Sequence, residues 1–130
     1  MSWVARLKYE FLLWGAHALK LIPGRTGCAI RNFALPYRCG ANVTVWEFVH
    51  IDKPSQLDIG DRVSINRNTV INAAGGVRIG SDVLIGPNVT IYSQSHRFSE
   101  LEKLIGEQGY DQLPVVIESN VWIAAGVIVL

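Results

Sequence analysis

The side chains in this 130-residue sequence that could do chemistry near neutral pH are few: His17, His50 and His96, with Cys28 and Cys39. A histidine, with a pKa near about 6.5, can accept a proton from an attacking alcohol and return it to a leaving group. The two cysteines stand eleven apart, with no second pair and no Cys-x-x-Cys spacing, so they form no structural zinc pattern. They read as reduced thiols of a cytoplasmic protein. A lone histidine is weak evidence, so its meaning depends on the elements that would position it.

Those elements are repeats. Leu57 to Ile65, Val77 to Ile85 and Val115 to Ile123 align as copies of one stretch, and an aliphatic residue recurs every six positions inside each copy. The series runs Cys39, Val45, Ile51; Ile59, Ile65, Ile71; Ile79, Ile85, Ile91; Ile117, Ile123, Val129. A small residue follows four places after each, among them Val43, Ser55, Thr69, Gly75, Val89 and Ser95. At six of the third places stands a residue tolerant of left-handed backbone: Asn42, Asn68, Asp82, Asn88, Asn120 and Gly126. Each hexapeptide is thus a short strand plus a corner, and three make one coil. Stacked coils form a parallel β-helix whose narrow interior is filled by Ile and Val.

The coil starts at 39, 59, 79 and 117 leave an inserted loop at residues 97–114, beginning just after His96. The coil opened by Ile117 needs residues to roughly 134, so a C-terminal truncation is expected where the sequence stops at Leu130.

The residues before the repeats are of another kind. Val4, Leu7, Phe11, Trp14, Ala18 and Leu21 recur at spacings of three and four, which predicts an amphipathic helix over 2–22 ended by Pro23-Gly24. Its stripe is expected to pack on the rest of the domain or on a sister subunit, with a membrane surface as the alternative. Residues 24–38 show no periodicity and read as a linker. Two units follow: helix and linker at 1–38, and the β-helix at 39–130.

Composition narrows the partners. A net charge of +1, with no run of Lys and Arg, offers nothing to grip nucleic acid. Charged residues make up 18% of the chain, below the roughly 25% of soluble domains, so some apolar surface is expected to be covered by another copy or a membrane.

The repeat region resembles the hexapeptide-repeat acyltransferases, above all the sugar O-acetyltransferases of the galactoside, maltose and nodulation-factor type. It carries Ile79-Gly80-Ser81-Asp82-Val83, then Pro87-Asn88-Val89-Thr90, then His96, then Val121-Trp122-Ile123, in that family's order. The resemblance implies a left-handed parallel β-helix, a homotrimer, an acetyl-CoA donor and a sugar or polysaccharide hydroxyl as acceptor, with no metal. The reduced thiols give an expected cytoplasmic location, with the inner membrane surface, reached through the helix, as the alternative.

The same resemblance implies site roles. His96 takes the place of the general base, and Asn66 that of an amide orienting the acceptor hydroxyl. Trp122 takes the place of the tryptophan lining the thioester end of the donor channel, with packing at a subunit interface as its competing role. The backbone N–H of Ala125 stands where the family stabilises the oxyanion. Glu118 and Ala124 replace glycines usual in the family, and Ala124 would narrow the donor channel. A zinc hydratase of the γ-carbonic-anhydrase type needs three histidine ligands, and the repeats hold only His50 and His96. A non-catalytic trimerisation scaffold is the alternative to an enzyme.

Overall fold

Inward-facing aliphatic residues organise the β-helix. The computed structural model describes residues 3–130. Helices α1 (Trp3–Leu21) and α2 (Gly24–Ala34) come first. The first coil is β1 (Arg38–Cys39), β2 (Thr44–Val45) and β3 (His50–Asp52), and the second is β4 (Leu57–Ile59), β5 (Ser64–Ile65) and β6 (Val70–Asn72). The third is β7 (Val77–Ile79), β8 (Leu84–Ile85) and β9 (Thr90–Tyr92). An insertion carries β10 (Gln94–His96) and β11 (Tyr110–Gln112), after which β12 (Val115–Ile117), β13 (Trp122–Ile123) and β14 (Ile128–Val129) make the fourth coil.

The strands build three four-stranded parallel faces, in the orders β1-β4-β7-β12, β2-β5-β8-β13 and β3-β6-β9-β14. Cys39, Ile59, Ile79 and Ile117 stack in register, as do Val45, Ile65, Ile85 and Ile123, and Ile51, Ile71, Ile91 and Val129. This is the left-handed parallel β-helix. Ile65, Ile71 and Ile91 are fully buried, each worth about 1.5 to 3 kcal/mol of apolar burial. The expected corner residues Asn42, Asn68, Asp82, Asn88, Asn120 and Gly126 all adopt positive φ, and Phe48 and Arg62 take the same conformation at equivalent corners.

One part of the frame is different from the prediction. Ser55 and Ser95 are exposed and Gly75 is only half-buried, so the small residues of each coil's third hexapeptide do not line the interior. The two extra residues per coil fall at that corner and shift the frame. Tyr37, Leu57, Val77 and Val115 fill the vacated interior column instead, all at most 9% exposed.

The linker at 24–38 is also corrected, because most of it is helix α2. Its inner face is Gly27, Cys28 and Arg31, a pattern without the apolar stripe by which a helix is read from sequence. Arg31, 1% exposed, holds it in place. Its Nε donates to Val45 O at 2.8 Å, and its Nη1 donates to Leu19 O at 2.8 Å and Ile22 O at 2.7 Å. The guanidinium thus sits at the negative end of α1 while satisfying an edge carbonyl of β2. Asn32 Nδ2 donates to Val43 O at 2.9 Å, and Phe48 N–H donates to Lys20 O at 2.9 Å, so the two helices cap the open end of the first coil. A Cβ at Gly27 would lie 2.0 Å from Ile22 O, so only glycine allows α2 this approach.

Helix α1 matches the predicted span over Trp3–Leu21 and ends one residue before the predicted Ile22, while Ser2 lies outside the described residues. Its orientation overturns packing of the stripe on the domain: Val4, Leu7, Phe11, Trp14, Ala18 and Leu21 are exposed, and the half-buried side carries Leu13, Ala16, Leu19 and Lys20. The short side chains and the stem of Lys20 suit the close approach of α2, which the bulky aromatic stripe does not.

Candidate active site

Two corners of the prism carry the predicted site residues. The corner after the second face holds Asn66, directly after β5. Its N–H donates to Ile85 O at 3.0 Å, and its Oδ1 accepts the N–H of Arg67 at 2.9 Å. The amide oxygen is thereby engaged within the chain, and the NH2 group is what remains to donate. Arg67 is fixed in turn: its Nε bonds Glu47 Oε1, and its guanidinium carbon lies 4.9 Å from the Trp46 ring centroid. Trp46 Nε1 donates to Ser64 Oγ at 3.2 Å.

Glu47 is 7% exposed, and its second carboxylate oxygen is buried without a partner among the described residues. The hydrogen bond from Arg67 holds its carboxyl below the usual carboxylate range, aided by backbone N–H groups that include Gly24 at the start of α2. Trp46, Glu47 and Arg67 escaped the sequence reading, since none occupies an inward or glycine-type position of the repeat.

Two coils further on, the same corner carries Ala125. Register places Arg67, Pro87 and Ala125 in one column, two residues beyond Ile65, Ile85 and Ile123. Pro87 has no N–H, and the N–H of Ala125 has no backbone acceptor among the described residues. A Cβ on Gly86 would come within 2.7 Å of Ala125 N, so this glycine lets the fourth coil close down on the third. Glu118 and Ala124, the departures from the glycine pattern, lie in that fourth coil, and their side chains meet no further coil among the described residues. Trp122 is 75% exposed on the outer side of the second face, in register with Leu84. Asn66, Trp122 and Ala125 therefore share one side and corner of the prism.

His96 stands elsewhere. The insertion leaves the corner after the third face as an antiparallel ribbon, β10 against β11, with His96 opposite Tyr110. It thus starts at Gln94, three residues before the loop predicted at 97–114. The two rings pack at a tilt, with centroids 4.3 Å apart and planes at 42°. Arg97 Nε meets Asp111 Oδ1 at 2.6 Å, and the Gln108 amide bonds Glu100 and Lys103, so the ribbon is tied by its own side chains. At its base Ser93 Oγ donates to Asn72 O at 2.8 Å and accepts the N–H of Gly75 at 2.9 Å. The pairing of Tyr110 with His96 was not legible, because nothing in an unrepeated loop announces cross-strand pairing.

Within one chain the structure does not bring His96 and Asn66 together. They occupy opposite edges of the third face, separated by the length of strands β6 and β9, on the order of 15 Å. A surface depression of about 450 Å³ on the first face, lined by Arg38, Asp58, Arg78 and Ser119, contains none of these residues.

No family model matches the chain. A Saccharomyces cerevisiae protein described as an acetyltransferase is 37% identical over 93 residues, 71% of this chain and 46% of that protein. The galactoside O-acetyltransferase of Lactococcus lactis is 39% identical over 71 residues, 55% of this chain and 33% of the enzyme. Among solved structures, AntD, an N-acyltransferase from Bacillus cereus crystallised with dTDP and coenzyme A, matches with a TM-score of 0.52. That match covers 77% of this chain and 69% of AntD at 14% identity, and it speaks for the fold alone.

The chain belongs to the hexapeptide-repeat acyltransferases. It spans less than half the length of the two curated relatives. The chain carries four coils, the capping helices and the inserted ribbon. No helix among its described residues is long and apolar enough to cross a membrane.

Proposed function

We propose that this protein is an acyl-CoA-dependent O-acetyltransferase acting on a sugar or polysaccharide hydroxyl, with His96 as general base. One observation carries the reading: a histidine on a self-braced ribbon, packed against Tyr110, at the edge of the prism opposite the corner of Asn66 and Ala125. A homotrimer with its prisms side by side would set the ribbon of one protomer against the Asn66 corner of the next, completing a site between subunits. The galactoside O-acetyltransferase and acetyltransferase names of the relatives, and the coenzyme A in the AntD crystal, support an acyl-CoA donor. Such a donor assigns the reaction to the cytoplasm.

The steps follow from the groups present. The Asn66 NH2 orients the acceptor hydroxyl, and the His96 imidazole takes its proton as the oxygen attacks the thioester carbonyl. The N–H of Ala125 receives the oxyanion, and Trp122 lines the thioester end of the donor channel. Collapse expels the CoA thiolate, the imidazolium returns the proton to sulfur, and an ester and free CoA leave.

Thiol release from acetyl-CoA by the full-length protein, with a panel of sugars as acceptors, tests this. His96→Ala is expected to slow transfer about 10²- to 10⁴-fold, roughly 3 to 5 kcal/mol of transition-state stabilisation, while folding and CoA affinity stay intact. Asn66→Ala is expected to lose less rate and to raise the acceptor KM. A His96→Ala variant keeping more than about half the wild-type rate would remove the assignment. A wild type that releases no thiol with any acceptor would favour the scaffold instead.

A further inference from the structure

Helix α1 turns its most apolar side away from the protein. Val4, Phe11, Trp14 and Leu21 are each more than half exposed, Trp3 is 74% exposed beside them, and no residue of the helix is buried. Phe11 and Trp14 pack edge-to-face on this outer side, with centroids 5.2 Å apart. The stripe runs the helix's whole length, about 28 Å at the α-helical rise.

We propose that α1 is a peripheral docking helix whose occupant is an anionic lipid surface. Charge selects that occupant. Arg6 and Lys8 flank the stripe, the first turn has no acidic residue, and Glu10 is the only carboxylate on the helix. Among the described residues neither Arg6 nor Lys8 has an ion-pair partner. Of the carboxylates a second copy would offer this cationic rim, Asp58, Asp82, Glu47, Asp111 and Glu100 are each already held by a cation of their own chain, which leaves Glu102, Glu107 and Glu118 without an ion pair among the described residues. Two helices of this kind face to face would also bring like charges together. Anionic headgroups supply the missing negative charge, while the hydrocarbon boundary takes Phe11, Leu7 and Val4 and the interface takes the indoles of Trp3 and Trp14. The helix lies on the bilayer, because no segment among the described residues is long and apolar enough to cross it.

The docking is independent of the transferase reading and is tested separately. The full chain is floated with vesicles of phosphatidylcholine alone, or with about a quarter phosphatidylglycerol. Tryptophan emission and sedimentation are recorded in parallel. Binding is expected to prefer the anionic vesicles, to weaken with salt, and to shift tryptophan emission to the blue. Trp14→Glu and Phe11→Glu are expected to lower partition about tenfold or more, and Lys8→Gln about fivefold on anionic vesicles only. Because these side chains are exposed, helix content by circular dichroism is expected to be unchanged, as is thiol release with a soluble acceptor. Equal partition of wild type and Trp14→Glu, or no binding to anionic vesicles, overturns the proposal. So does an assembly whose size falls with Phe11→Glu while vesicles are ignored, which would assign the stripe to a second copy.

Discussion

The coiled body and the helical pair at its head are built on opposite principles, although hydrogen bonds join them at one edge. In the body, phase decides each residue's surroundings. Ile65, Ile85 and Ile123 meet nearly the same neighbours because each lies one coil from the next. In the helices nothing repeats, and position is decided by contacts with other elements. Arg31 is buried because carbonyls of α1 and of β2 need a donor there, not because of any pattern in α2. A repeated region states its packing many times over, whereas a cap states it once and in the terms of its partner.

The sharpest way to break this contrast is at Arg31. Arg31→Met keeps the volume but orphans Val45 O, Leu19 O and Ile22 O, and is expected to cost about 3 to 5 kcal/mol. Chemical denaturation checks it. A loss under about 1 kcal/mol would mean that the helices do not cap the first coil. The next effect belongs to the body: Ile71→Ala, at a fully buried position, is expected to cost about 3 kcal/mol, within the 2 to 5 found for such truncations. Ile128→Ala, in the fourth coil and 66% exposed, is expected to stay within about 0.5 kcal/mol. If the two cost the same, phase alone would not set burial in this body.

The same contrast explains what could be read from the sequence. The three inward columns and the left-handed corners were legible because each is written four times, and a miss at one coil is corrected by the others. The Leu57 and Val77 column was obscured by the two extra residues at each third corner, which break the six-residue count. Helix α2 was illegible because its inner face is Gly27, Cys28 and Arg31, residue types that carry no periodic apolar signal. The stripe of α1 was found correctly, but periodicity shows that a stripe exists and not which way it points. At the candidate site, Asn66 and Ala125 were assigned by the family resemblance, whereas the partners Tyr110, Arg67 and Glu47 depend on cross-strand and cross-coil pairing that no spacing reveals.

A smaller effect sharpens the comparison at the corners. Asn68 holds φ at 59°, where a Cβ without a compensating polar group costs about 1 to 2 kcal/mol. Asn68→Ala is expected to lose about 1 kcal/mol by thermal melting, and Asn68→Gly to lose less, because glycine takes this conformation freely. The reverse order would show that the asparagine side chain, and not the backbone, stabilises the corner.

A further modest effect lies where the two regions meet. Tyr37, 5% exposed, ends the approach from α2 and begins the interior column of the first face, and its hydroxyl donates to Asn32 Oδ1 at 2.7 Å. Burial raises its phenol well above the ordinary value of 10.0. A folded-state pKa above the unfolded one means that stability is complete below about pH 10 and is lost as pH rises past it, because the unfolded chain sheds the proton first. Tyr37→Phe is expected to cost about 1 kcal/mol at neutral pH, the worth of one hydrogen bond. It should also flatten the alkaline loss, since the only change at that site is removal of the titrating group. The ultraviolet titration of tyrosinate checks the assignment: one tyrosine of the wild type should ionise only as the fold opens, and that step should vanish in Tyr37→Phe. If the late step persisted in the variant, the alkaline weakness would belong to another tyrosine, and the junction would be held by Arg31 and Asn32 without help from Tyr37.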